Sequence, residues 1–302
     1  MAKSYILALN FDNDSIKFIE FERKSGKNII HKIGTKRLPE NSCKNNYGIF
    51  DSEKVKDGLK ELLTENKIKA TKATYLIPEK SVIKKTTTLP KTSTDKEIYK
   101  LIKRNSKQYT GEFADKIHFD FYSKSVENEK RKEIYILAVS KTIIEERDNV
   151  LIECGLEPEV ADIPSNSLNR VNKYVREYFY KKNHQTLLKE EFLVFIKKEN
   201  QDTFNVMIFD KEQKESLTIF KNSLQEVVDE INNLLEDNKI KDKFGGFAFF
   251  DMDPVDINVD DEHYVFISSL LDANLKFKNK INLDSQEWLP LSGLIQRERN
   301  EY

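Results

Sequence analysis

The sequence predicts an α/β protein built from a duplicated unit, with a smaller α/β segment inserted between the copies. Three observations carry that expectation. Residues 5–78 read strand, strand, strand, helix, strand, and the same order returns after about residue 190. Between the copies, residues 80–162 follow a β-α-β-β-α-β order of their own. Two unrelated α+β domains would give the same element order, and pattern alone leaves both readings open.

The first copy opens with apolar, β-branched runs at Tyr5–Phe11, Ile16–Glu22 and Asn28–Arg37. A helix follows in "DSEKVKDGLKELLTENK", where Val55, Leu59, Leu62 and Leu63 recur at helical spacing and Asp51 or Ser52 can cap the start. "ATYLIP" then closes the unit as a strand ending at Pro78. In the inserted segment, "SVIKKTTTL" is a strand and "STDKEIYKLIKRNSKQY" a helix starting at the Ser93–Thr94–Asp95 cap region. "KIHFDFYSKS" and "EIYILAVSK" make a hairpin around "VENEKRK". "TIIEERDNVLIECG" is a helix stopped at Gly155, and "LEPEVADI" is the last strand. The helix "SNSLNRVNKYVREYF" leads into the second copy. There "FLVFIKK", "FNVMIFD" and "SLTIFK" are strands, "SLQEVVDEINNLLEDN" is a helix and "FAFFDM" a final strand.

Composition narrows the function classes. Apolar residues make up 38% and charged residues 33%, fitting a core wrapped in a heavily solvated surface. The 50 basic side chains nearly balance the 51 acidic ones, which argues against a dedicated nucleic-acid binder. Cys43 and Cys154 form no CxxC pair and no secreted disulfide framework, so a reducing cytoplasm is expected. The N-terminal apolar run is too short for a signal-peptide core, and no run approaches a membrane span. Membrane attachment is therefore expected only through partners.

With the elements placed, several segments taken in order resemble the type IV pilus assembly protein PilM family. They are "YILALNFDNDSIKFIEF" (5–21), "LIPEKSVIKKTTTLPKTSTDKEIYKLIKRNSKQY" (76–109), "IHFDF" (117–121), "YILAVSKTIIEERDNVLIECGLEPEVADIPSNSLNRV" (135–171) and "LPLSGLIQRERN" (289–300). The resemblance implies an actin-like fold, a duplicated ribonuclease H-like architecture of the cell-division protein FtsA type. Residues 1–79 and 163–188 would form subdomain 1A, residues 80–162 the inserted subdomain 1C, and residues 189–302 a second half, 2A with a reduced 2B. It also implies a cytoplasmic protein peripheral to the cell membrane. Its partner would be the short N-terminal cytoplasmic peptide of a PilN-like membrane protein. Other pilus platform or motor ATPase proteins and self-association are further partner expectations. The cytoplasmic module of the type II secretion protein GspL is a related alternative.

The family's nucleotide loops are degenerate in this chain. Where the first phosphate loop has Asp-x-Gly and small hydroxyl residues, the sequence has Asn10 and Asp12, with Asp14 added and Ser15 and Lys17 retained. Asn10 is no charged outer-shell ligand for Mg²⁺. Asp12 sets a carboxylate against phosphate where glycine would let backbone amides approach. One such repulsion at ~4 Å and an effective dielectric near 20 is of order 4 kcal/mol. That is roughly a thousand-fold in affinity. In the second loop, Phe195, Ile196 and Lys197 replace Asp-x-Gly, and Gly245–Gly246 precedes the strand "FAFFDM" and so reads as a turn. The expectation is a pseudo-ATPase with no cofactor and no catalytic residues; the alternative is an active actin-like ATPase using ATP with Mg²⁺.

Other signals are bland. Asp256, Asn258 and Asp260 have calcium-loop spacing, but Asp261 stands where glycine is needed and Ile267 where glutamate is needed. His31, His118, His184 and His263 share no metal-ligand spacing, and no metal site is expected. Lys96, Lys100, Lys103, Arg104 and Lys107 form one basic helix face, by default a solvated exterior and alternatively a contact for anionic lipid or an acidic partner. A partner-peptide groove is expected where the inserted segment joins the first half. Topology nominates Ile77, Pro78, Val82, Ile163, Pro164, Ser165 and Leu168 for it.

Overall fold

The computed structural model describes residues 4–12, 14–24, 27–44, 49–125, 130–171, 192–200, 203–209, 215–223, 225–227, 229, 233, 244–250, 264–266, 276–277 and 288–297. The chain divides into two compact units. One comprises Met1–Ala8, Phe18–Ile33 and Asp162–Arg297, the other Leu9–Lys17, Gly34–Ala161 and Glu298–Tyr302.

Strands β1 (Tyr5–Asp12), β2 (Ser15–Lys24) and β3 (Lys27–Arg37) follow one another as expected. Ile6 to Phe11 are all buried, the pattern of a strand covered on both faces. The acids on β2 are buried but paired across to β3: Glu22 with His31 at 3.3 Å and Glu20 with Lys32 at 3.6 Å. A ribbon of β4 (Cys43–Lys44) and β5 (Ile49–Phe50) precedes α1 (Ser52–Glu65). Asp51 caps α1 by accepting from the Lys54 amide at 3.2 Å, and Val55, Leu59 and Leu62 bury its apolar stripe. Strand β6 (Lys72–Leu76) completes the first copy.

The inserted segment departs from its expected layout twice. Strand β7 (Val82–Pro90) is followed by α2 (Asp95–Arg104) and a separate α3 (Ser106–Thr110), because the expected single helix breaks at Asn105 (φ −107°, ψ 22°). Thr94 is the cap: it and Glu97 form a reciprocal capping box. Strands β8 (Ile117–Ser125) and β9 (Arg131–Ser140) pair antiparallel, and β9 also pairs with β7, giving the order β7-β9-β8. Ile98 and Ile102 of α2 pack on Ile134 and Ile136 of β9, flanked by Leu89, Tyr109, Phe119 and Phe121. The remaining expected elements lie elsewhere. Helix α4 (Lys141–Glu153) packs on α1, with Lys56 and Glu153 paired at 3.1 Å. Gly155 takes φ 79° just past its end, the left-handed geometry expected there. Strand β10 (Glu157–Asp162) joins not β7-β9-β8 but the sheet containing β6. Thr74 Oγ1 donates to the Val160 carbonyl at 3.1 Å, and Lys72 pairs with Glu159 at 2.7 Å. A β-α-β-β-α-β order therefore does not mean one β-α-β-β-α-β sheet here: Val82–Ser140 form the three-stranded layer, and β10 returns to the main sheet.

Residues 164–171 are helical (α5). Strands β11 (Phe192–Asn200), β12 (Thr203–Phe209) and β13 (Glu215–Lys221) form an antiparallel meander. Strand β14 (Phe244–Phe250) pairs parallel with β11, and β15 (Tyr264–Phe266) parallel with β14. Strand β16 (Lys276–Phe277) runs parallel to β3, and α6 (Leu289–Ile295) ends the described chain. The two sheets read β10-β6-β1-β2-β3-β16 and β13-β12-β11-β14-β15. Reversing the second aligns β15-β14-β11-β12-β13 with β10-β6-β1-β2-β3. Each copy keeps its first three strands as neighbours and inserts its post-helical strand beside the first. The repeat seen as element order is thus a repeat of topology.

The acidic loop containing Asp256, Asn258, Asp260, Asp261 and Ile267, as well as His184 and His263, lies outside the described residues, as does most of the helix expected at 223–238. No cluster of metal-ligating side chains occurs among the described residues.

Candidate functional site

The hairpin joining β1 to β2 carries every residue of the first degenerate loop. Asn10 is buried near the end of β1. Asp12 ends the strand, and its carboxylate faces the Lys17 ammonium at 3.5 Å, the two side chains being 13% and 9% exposed. Ser15 Oγ donates to the Asp12 carbonyl at 3.0 Å. Asp14 is braced from outside the hairpin: its carbonyl accepts from the Leu38 amide at 2.8 Å and its carboxylate from the Ser42 amide at 3.3 Å. The cation and hydroxyl that the family pattern directs toward phosphate are engaged within the loop itself.

Beneath the hairpin lies an aromatic and cationic interior. Phe11 meets Phe50 edge-on at 5.4 Å, and Arg147, 1% exposed, lays its guanidinium over the Phe50 ring at 4.4 Å. Arg147 also donates to the Ile143 carbonyl at 2.9 Å, while its Nε has no hydrogen-bond partner among the described residues. Burial lowers its pKa from the usual guanidinium range. Cys43 is fully buried; burial above all, with Asp14, Asp12 and Asp51 adding to it, pushes its thiol up to about 12 against the pull of Arg147. It is a neutral core thiol and no nucleophile. The Tyr75 hydroxyl donates to Asp148 at 2.7 Å, and burial followed by that bond raises its pKa above the ordinary phenol value.

The second hairpin corrects the expected loop alignment. Phe195 and Ile196 sit mid-strand, buried and paired with Met207 and Val206, because β11 runs on to Asn200. Counting back from the strand ends, Lys198 and Asn200 stand where Asn10 and Asp12 stand in the first copy. That end of the hairpin also lacks an Asp-x-Gly. Gly245–Gly246 is not a turn before a strand either. Strand β14 begins at Phe244, and its register against β11 slips between Phe192 and Val194, so the glycines fall at a bulge.

The nominated groove residues are mainly core. Ile77 and Pro78 are buried and Val82 is half-buried; these three belong to the Leu9–Lys17, Gly34–Ala161 unit. Ile163, Pro164, Ser165 and Leu168 belong to the other unit and are buried within it. Only Val82 among the seven offers an accessible side chain.

Residues 8–236 match the family described as type IV pilus assembly protein PilM. The chain belongs to that family. Its place is therefore in type IV pilus assembly. The PilM-type fold is actin-like. A solved PilM-PilN type IV pilus biogenesis complex contains a chain similar to this one at TM-score 0.69 and 13% identity, covering 96% of this chain and 97% of that one. The cytoplasmic domain of EpsL, an inner-membrane component of the type II secretion system of Vibrio cholerae, is similar at TM-score 0.52 and 8% identity, covering 98% and 97%.

Sequence reasoning missed the polar hub of this PilM family member. Asp162, 5% exposed, accepts from the Ile163 amide at 2.8 Å, from Asn166 at 3.3 Å and from Arg170 at 2.7 Å, with Arg297 at 3.8 Å. Arg297 is held in turn where its carbonyl accepts from Arg23 at 2.9 Å, and Asn28 donates to the Ile295 carbonyl at 2.9 Å. The segment "LPLSGLIQRERN", one of those resembling the family, was the available signal, but nothing local in it names Asp162 as the partner of Arg297.

Proposed function

We propose that this protein is a cytoplasmic scaffold of the type IV pilus assembly platform. It would hold the N-terminal cytoplasmic peptide of a PilN-like membrane protein and turn over no nucleotide. The observation that carries this reading is its likeness in fold, over nearly its whole length, to a chain of a solved PilM-PilN complex. No helix among the described residues is long and apolar enough to cross a membrane, which suits a protein recruited by a membrane partner. Such a peptide would bind in extended form, its backbone satisfied at a strand edge and its side chains read by shallow apolar pockets. Of the nominated residues, Val82 is the one able to touch it directly.

The test is a titration of the full chain with the synthetic N-terminal peptide of the PilN-like protein from the same organism. Saturable binding is expected, weakened about tenfold or more by Val82→Glu, which sets an unpaired charge against an apolar contact. Binding unchanged by Val82→Glu would remove Val82 from the groove, and no binding at all would overturn the peptide-scaffold reading.

The absence of nucleotide chemistry is supported by the hairpin. In a working loop, Lys17 and the Ser15 hydroxyl would face phosphate, whereas here Asp12 provides the negative partner for Lys17. A polyphosphate would have to displace a carboxylate from a largely buried lysine and then lie against it. Calorimetry with ATP and Mg²⁺ should show no saturable heat up to about 1 mM ligand. Micromolar binding abolished by Ser15→Ala or Lys17→Ala would establish the active ATPase instead.

A further inference from the structure

We propose that the outward face of α2, continued by Lys107 and Phe113, docks directly on an anionic phospholipid surface. This goes beyond recruitment through a partner. Ile98 and Ile102 turn one side of α2 into the core of the three-stranded layer. Lys96, Lys100, Lys103 and Arg104 all occupy the opposite side and are exposed. The side chains of Lys96, Lys103 and Arg104 make no hydrogen bond or ion pair with any described residue. The nearby acids lie at the margins. Asp95 and Glu97 are in the first turn, Glu97 folded back on the Thr94 amide at 2.7 Å, and Glu112 and Asp115 come after α3.

Two large aromatic side chains flank this basic face and stay open to solvent: Tyr99 at 46% and Phe113 at 53% exposure. Tyr99 is held upright by stacking on Phe119 at 5.0 Å, and Lys107 lies over the Phe113 ring at 4.8 Å. Cations beside exposed aromatic rings match a headgroup layer, where lysines meet diffuse anionic charge and the rings settle at the acyl boundary. An acidic protein partner is the poorer fit. Recognition of carboxylates favours rigid arginine forks, and this face offers mainly lysines on flexible stems.

The test is flotation of the full chain with vesicles of phosphatidylglycerol and phosphatidylcholine, compared with vesicles of phosphatidylcholine alone, without any partner peptide. Binding is expected only to the anionic vesicles and should fall as salt rises. The triple variant Lys96→Gln, Lys100→Gln, Lys103→Gln should bind about a hundredfold more weakly, each lysine contributing roughly fivefold. Tyr99→Ser with Phe113→Ser should reduce the binding that survives at high salt. These positions are exposed, so an unchanged melting temperature checks that the variants fold. The proposal is overturned if the wild-type chain does not distinguish anionic from neutral vesicles or if the triple variant binds like the wild type. Displacement from vesicles by equimolar soluble polyglutamate would also overturn it, in favour of an acidic protein. None of these readouts depends on whether the PilN-like peptide binds.

Discussion

Replacing Asp162 with alanine should destabilise the protein by about 3–5 kcal/mol, the cost of removing one partner from a buried charge network. The Asp162 and Arg297 side chains are only 3% and 6% exposed, so water screens this pair little, and Arg170, at 16%, is not much wetter. The carboxylate also accepts from the Ile163 amide and from the Asn166 side chain, so the same change takes the acceptor away from two further donors. Asp162→Asn keeps an acceptor for the amide but loses the charge, and should cost about half as much. Urea titration of both variants measures this. A loss below about 1 kcal/mol for Asp162→Ala would show that the arginines find equivalent partners and that the hub contributes little.

Gly293→Ala should cost about 3 kcal/mol, at the upper end for overpacking, because the obstacle is backbone. A Cβ at Gly293 would stand 1.9 Å from the Ser167 carbonyl oxygen and 2.4 Å from its carbon, so α6 and α5 must separate to admit one methyl group. Separation is costly where Leu291, Leu294 and Ile295 of α6, and Leu168 and Val171 of α5, are all buried. Thermal melting is the direct readout, at roughly 2–4 °C for each kcal/mol lost. Adding Ser167→Gly should give no rescue, since it leaves the carbonyl in place. Restoration by that second change would mean that the contact runs through the serine side chain.

Both positions show how far the linear pattern reaches. Strand periodicity, the apolar stripe of α1, the cap at Asp51 and the glycine stop after α4 were all legible, since each depends on residues a few positions apart. The break at Asn105 was not legible, because the apolar spacing carries straight through it from Ile98 and Ile102 to Tyr109. The degenerate hairpin was legible as chemistry: Asn10 and Asp12 are wrong residues for a phosphate loop wherever they point. Its closure by the Lys17–Asp12 pair is decided by the folded hairpin, which brings the two side chains to 3.5 Å. The second loop is out of register in the linear pattern because strand ends are its least determined part, and the ladder to β12, which runs to Asn200 opposite Thr203, sets how far β11 extends past Ile196.

Short-range order, the duplicated element sequence and the loss of a phosphate-loop motif therefore follow from residue types and spacing alone, since they are properties of neighbouring positions. Which sheet receives β10, which carboxylate meets Arg297 and why position 293 carries no side chain depend on contacts between segments far apart in the chain. Those partners are chosen by packing and burial, and no local propensity encodes them.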